Sequence, residues 1–240
     1  ARSVPDVALF LDTMAGYCHL DPMTFDAPSL SFSHAVAAPR RPHRVAFAAT
    51  IGGSPVDHET EHICRDSMRH FKNVGSKVEE ITIDLEDLED TFLALRSQEF
   101  VIDRELQLQR YRDQIKPDII WNTELGLEQS ISTLAKAERA RAALYAQFND
   151  LFSRYDLIVT PGANTPAFDV ELRFPEAING IKLEHYMAAS TLTAAVTISA
   201  SPALSLPCGF DQYGRPIGLQ LIGRPRGEAA LLAAGALFEV

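Results

Sequence analysis

His58-Glu59-Thr60-Glu61-His62 fits the pattern H-E-x-x-H. In that pattern two imidazoles one helical turn apart hold a zinc ion, and the Glu between them acts as general base. The apolar residues of the same stretch argue against this chemistry. Ile63, Cys64, Met68, Phe71 and Val74 form its stripe, and at about 100° per residue both histidines point away from it. A catalytic zinc also needs a walled cleft and a third ligand, and no later residue stands at a recognisable spacing. The stretch reads as a solvated helix face, and no metal is expected. Cys208 ends an apolar run and precedes a Gly, which would suit a nucleophile. A reactive thiolate needs a histidine or a helix N-terminus beside it, and His185, the nearest histidine in sequence, has no pattern joining it to Cys208. Cys208 reads as a small buried thiol at a strand end.

Other reaction types are not written in the chain. The sequence contains no G-x-S-x-G, no S-x-x-K, no G-x-G-x-x-G and no P-loop. Lys72, Lys77, Lys116, Lys136 and Lys182 are its lysines, and none stands in a Gly/Ser-rich loop. Lys182 reads as a solvated turn residue. The remaining candidate is the stretch from Thr160 to Phe168, where an apolar run stops at Thr160-Pro161 and small, polar and Pro residues follow. It would give either a stiff ligand-binding rim on a rigid scaffold or a Pro-rich surface crossing.

The elements that must position these residues follow from period and punctuation. Ser3 and Asp6 make a capping box for a helix to Met14, with Val7, Phe10, Leu11 and Met14 as its stripe. Residues 17–43 have no period and read as a surface loop. A strand over 44–50, a helix from Asp57 to about Asn73 and a strand over 78–83 form a βαβ unit, hence parallel pairing. Residues 85–115 and 127–153 read as long helices, interrupted at Pro117. Residues 156–161 read as a buried strand and 184–200 as mostly helical. Ala203–Leu206 and Ile217–Ile222 read as two largely buried strands of a hairpin, turned by Asp211-Gln212-Tyr213-Gly214. A helix over 227–239 closes the chain. No repeat and no linker divides it. The fold class expected is α/β, a mixed central β-sheet flanked by helices.

Composition narrows the function. The 240 residues are 46% hydrophobic and 22% charged, ordinary for a globular chain, and the net charge of -10 disfavours nucleic acid and anionic membrane as partners. No apolar run is long enough to cross a bilayer. Three widely spaced Cys make no disulfide framework and favour a reducing, cytoplasmic compartment.

Ser201–Gly223 carries a resemblance. Pro202-Ala203-Leu204-Ser205-Leu206-Pro207, Gly209-Phe210, then Pro216-Ile217-Gly218-Leu219-Gln220-Leu221-Ile222-Gly223, then Glu228-Ala229-Ala230-Leu231-Leu232, resemble in order the C-terminal region of the amidase signature family. Ala1–Gly16 looks like the segment that follows the catalytic half of that family. One departure stands before the Pro-Ala-Leu-Ser run: the family often has Asn-x-Thr-Gly-x-Pro, and here Thr197, Ser199 and Ala200 occupy the Asn, Thr and Gly places. The resemblance implies a hydrolase that cleaves a carboxylic amide by acyl transfer. A serine attacks, a second serine in a cis peptide relays its proton, a lysine is the base, and neither metal nor organic cofactor takes part. The Ser-Ser-Lys triad is expected upstream of Ala1, so residues 1–240 would be the C-terminal part of one amidase domain. This chain alone would contribute no catalytic residue and be inactive. By position the resemblance assigns Thr160, Asn164, Pro166, Tyr186, Thr191 and, more loosely, Trp121 to the substrate pocket. The expected partners are a small-molecule amide and an N-terminal amidase segment or chain carrying the triad, with a homo-oligomer compatible. The alternative is a non-catalytic binding or regulatory subunit of the same architecture.

Overall fold

The computed structural model describes residues 1–239. Its centre is a five-stranded mixed sheet in the order β2-β1-β3-β7-β6. Strands β1 (Arg44–Phe47), β2 (Lys77–Glu80) and β3 (Leu157–Pro161) run parallel. Strand β7 (Pro216–Ile222) is antiparallel to β3, and β6 (Ala203–Phe210) is antiparallel to β7 at the edge. Two short strands, β4 (Ala177–Ile178) and β5 (Ile181–Lys182), form a separate ribbon. The mixed sheet flanked by helices is the fold class the sequence predicts.

Strand alternation splits the core into two layers. Val45, Phe47, Leu157, Val159, Leu219 and Leu221 face one side, beneath α1 (Val4–Met14), α2 (Phe32–Ala37), α3 (His58–Ser67), α4 (Arg69–Asn73) and α9 (Glu228–Phe238). Ala46, Ile158 and Ile222 face the other, beneath α5 (Leu88–Tyr111), α7 (Ile131–Arg154) and α8 (Thr191–Ile198). Helix α6 (Pro117–Leu127) packs on α5. No helix among the described residues is long and apolar enough to cross a membrane.

Several local expectations need correction. Helix α1 is capped by Ser3 as predicted, but its buried residues are Val4 and Ala8, while Phe10 and Met14 are 61% and 59% exposed. The helix lies against α2 and α9, and small Ala8 lets it approach them closely. Residues 17–43 are not all loop. Helix α2 forms there, capped by Ser31, whose hydroxyl accepts the His34 N–H at 3.1 Å, and Asp12 of α1 also accepts the N–H groups of Phe32 and Ser33 at 2.6 and 3.0 Å. The helix from Asp57 breaks at Met68 into α3 and α4. Pro117 does not interrupt a helix but opens α6, which contains Trp121, since its missing N–H is no loss in a first turn. Strand β6 is only half buried, because nothing described covers Ala203, Ser205 and Pro207 on its second face.

Candidate functional site

The carboxyl ends of β1 and β3 lie side by side, the place where parallel α/β sheets commonly bind ligands. The loop after β1 carries Thr50, Ser54 and Pro55, and the loop after β3 carries Asn164 and Pro166. Asn164 is buried and donates its side-chain amide to the Pro55 carbonyl at 2.8 Å, while its own backbone carbonyl accepts the Asp57 N–H at 2.8 Å. Its Oδ1 is buried with no partner. Ser54 donates to the Thr191 hydroxyl at 2.7 Å, joining the β1 loop to the start of α8. Thr160 is fully buried on β3 opposite Gln220, whose side-chain amide reaches the Thr160 hydroxyl at 3.3 Å. Pro166 is buried in the same loop.

The 3-10 turn Tyr186–Ser190 leads directly into α8 and brings a second group of side chains. Tyr186 stands edge-on to Trp121 of α6, with ring centroids 5.9 Å apart, and the His185 ring lies 5.5 Å from the same indole. Buried Asn122 donates to the Tyr186 hydroxyl at 2.6 Å. Arg96 of α5 gives its guanidinium to Asn122 Oδ1 at 3.3 Å and the Tyr186 hydroxyl at 3.4 Å, and stacks 4.7 Å over Phe100. His185 Nε2 meets Glu89 at 2.8 Å, and its Nδ1 is buried without a partner. Arg173 lies over the Tyr186 ring and is ion-paired with Asp118.

Two sets therefore emerge from the six expected positions. Thr191 and Asn164 both brace the loop after β1, Pro166 belongs to the Asn164 loop, and Thr160 lies beneath them in the sheet. Trp121 and Tyr186 meet edge-on. Ser54, Arg96, Asn122, His185 and Gln220 belong to the same surroundings and were not assigned from sequence. Gln220, a lone amide in an apolar strand, carried a signal that could have found it. Asn122 carried none, because helix α6 shows no clean polar face.

The hydrogen-bond partners of the polar groups decide what chemistry the arrangement offers. The buried Ser54–Thr191 hydroxyl pair has no base among its hydrogen-bond partners. The His185–Glu89 pair has no serine or cysteine hydrogen-bonded to it. His58 and His62 are exposed, His62 faces Asp66 at 3.5 Å, and Glu59 accepts the Gln212 N–H at 2.9 Å. Among the described residues no group of three or more His, Cys, Asp or Glu could hold a metal ion. Cys208 meets Cys64 at 3.8 Å rather than a histidine.

A family model described as Amidase matches residues 1–232. The chain belongs to the amidase family. It is 26% identical over 244 residues to an acylamidase of Rhodococcus erythropolis, covering 99% of this chain and 50% of that protein. It is 31% identical over 268 residues to a glutamyl-tRNA(Gln) amidotransferase component of Moorella thermoacetica, covering 99% of this chain and 52% of that one. A bacterial aryl acylamidase of the amidase signature enzymes shares its fold with a TM-score of 0.88 at 22% identity, over 100% of this chain and 51% of that structure. A 6-aminohexanoate cyclic dimer hydrolase does so with a TM-score of 0.84 at 17% identity, over 100% and 53%. This amidase-family chain spans about half the length of the curated relatives it matches.

Proposed function

We propose that this chain is the substrate-binding, C-terminal half of an amidase signature hydrolase that cleaves a small uncharged amide. The observation that carries this reading is a match to the amidase family along nearly the whole chain at half the relatives' length. The sequence agrees, since it holds no serine–serine–lysine pattern of the kind the family uses. The position of β6 at the end of the sheet agrees as well, because an edge left open among the described residues is a place for further strands.

In this reading the triad comes from a segment or partner chain that packs beside β6. The serine adds to the amide carbonyl, backbone N–H groups hold the oxyanion, and the amine leaves before water releases the acyl group. The present chain orients the substrate. Trp121 and Tyr186, packed edge-on, supply an aromatic side, and Thr191 and Asn164 fix the loop that forms the rim. The cations on that side, Arg96 and Arg173, are already engaged by Asn122, Tyr186 and Asp118. A substrate carboxylate would have to break those contacts, which favours an uncharged amide over free glutamine. The net charge of -10 also weighs against a tRNA-bound substrate.

The test is reconstitution. The chain alone should neither hydrolyse 4-nitroacetanilide nor react with a fluorophosphonate serine probe. Joined to the preceding segment of its gene, or mixed with the chain carrying the triad, it should do both. Probe labelling of a serine within residues 1–240 would refute the reading. A folded complex that binds anilides but never labels would establish the non-catalytic binding role instead.

A further inference from the structure

We propose that Cys64 and Cys208 form a peroxide-driven disulfide site that ties helix α3 to the edge strand β6. Their sulfurs are 3.8 Å apart although 144 residues separate them in sequence. Cys64 lies on the inner face of α3 and is fully buried. Cys208 follows Leu204 and Leu206 on the inward side of β6 and is half-buried. The ladder register shifts between Pro207 and Gly209, so Cys208 sits in the irregularity itself. A bulged edge position has slack that a regular ladder residue lacks. The sulfurs must close by roughly 2 Å to reach bonding distance.

The two thiols are chemically unequal. The Cys64 thiol lowers the Cys208 pKa from the ordinary 9.0, against the opposing effect of burial. Cys64 is pushed the other way by its hydrogen bond to Cys208 and by burial. One sulfur is thus the more accessible group and the other a sheltered partner in contact with it. That division of labour suits an attacking and a resolving cysteine.

The chemistry balances with hydrogen peroxide as the named oxidant. The Cys208 thiolate attacks one peroxide oxygen, an S–O bond forms, the O–O bond breaks, and the departing hydroxide takes a proton to become water. Cys208 is then a sulfenic acid. The Cys64 sulfur attacks the Cys208 sulfur, the S–S bond forms, the S–O bond breaks, and hydroxide leaves with the Cys64 proton as a second water. The sulfur pair loses two electrons and the peroxide gains them.

Cys18 is exposed, so the test removes it with Cys18→Ser, leaving Cys64 and Cys208 of the three cysteines. This chain is treated with equimolar to tenfold hydrogen peroxide, alkylated and mapped by mass spectrometry. The expected result is a Cys64–Cys208 peptide linked within one chain, with the free-thiol titre falling from two to near zero and returning with dithiothreitol. Adding Cys64→Ser should halt oxidation at a Cys208 sulfenic acid that dimedone traps. Adding Cys208→Ser should leave Cys64 at least tenfold slower to react. A titre that stays at two, linkage only between chains, or dimedone trapping on Cys64 would overturn the proposal. Peptide mapping of the Cys18→Ser chain decides the matter even if a substitution at buried Cys64 prevents folding.

Discussion

At the scale of single residues, the best-bonded part of the candidate site is Asn122. It is 1% exposed, donates to the Tyr186 hydroxyl and the Asp118 carbonyl at 2.6 Å each, and accepts from Arg96. Removing a buried amide from such a network strands its partners away from water, at a cost of about 1–3 kcal/mol. Asn122→Ala is therefore expected to lower the urea-unfolding free energy by that amount. Tyr186→Phe, which removes only the hydroxyl, should cost about 1 kcal/mol. Equal urea midpoints for Asn122→Ala and its parent would show that the network does not hold Tyr186 in place. The same residues mark what the sequence could and could not reveal. The resemblance assigns Trp121 and Tyr186 to the pocket, and their contact is an outcome of tertiary packing. Asn122 and Arg96 were out of reach, since a polar residue on an amphipathic helix looks the same whether it meets water or a tyrosine hydroxyl. Thr160, assigned to the pocket as well, lies beneath the rim, because a β3 residue facing Gln220 is covered from both sides.

At the scale of elements, helix α6 is held by a glycine. A Cβ on Gly126 would come within 2.3 Å of the Ser97 carbonyl oxygen and 2.6 Å of a Val101 methyl, both on α5. Backbone cannot retreat as a side-chain tip can, so the two helices would have to separate. Gly126→Ala is expected to destabilise the chain by about 1–3 kcal/mol despite its better helix propensity. Because α6 carries Trp121 and Asn122, the near-ultraviolet dichroism of the single tryptophan should change with it. An unaltered spectrum and midpoint would mean that the close approach of α5 and α6 is wrong. The strand pair at the other edge makes a pH-dependent prediction. Lys77, Tyr155 and Arg44 hold the Glu79 carboxylate down to about 2 from its ordinary 4.5. A carboxylate depressed on folding adds stability that is whole above the unfolded pKa and disappears as the pH falls through the folded one. Glu79→Gln should therefore lower the urea midpoint at pH 7, and the gap to the parent should close as the pH drops from about 5 to about 2. A gap that persists at pH 2 would assign the effect to shape rather than charge. Elements were the most legible level of the sequence. The βαβ unit, the hairpin and the long helices follow from period and punctuation. Helix α2 did not, because six residues are too few to show a period, although its Ser31 cap stands in the sequence.

At the scale of the whole molecule, the sheet separates two apolar layers, and its β6 edge stays open among the described residues. Strand β6 offers an unpaired edge and a bare face at Ala203, Ser205 and Pro207, and the hairpin tip exposes Phe210 and Tyr213 at 70% and 74%. Leu9, Phe10, Met14, Tyr17, Leu20 and Met23 add a second apolar stretch, each more than half exposed. Exposed large apolar side chains in such numbers invite a covering partner, and an open edge strand pairs with whatever strand it meets. The amidase half proposed above is the occupant that the relatives' length favours. In its absence the chain should associate with itself, with a sedimentation coefficient that rises as concentration goes from about 1 to about 100 μM. Ser205→Lys, which places a charge on the bare face, is expected to suppress that rise as charged residues protect natural sheet edges. It should equally block assembly with the chain bearing the triad. If Ser205→Lys abolished self-association but left assembly and amide hydrolysis intact, the missing half would have to dock elsewhere than β6. If the unaltered chain stayed monomeric to 100 μM, the edge would already be protected by its own twist and Pro207, and no second polypeptide would be required to cover it.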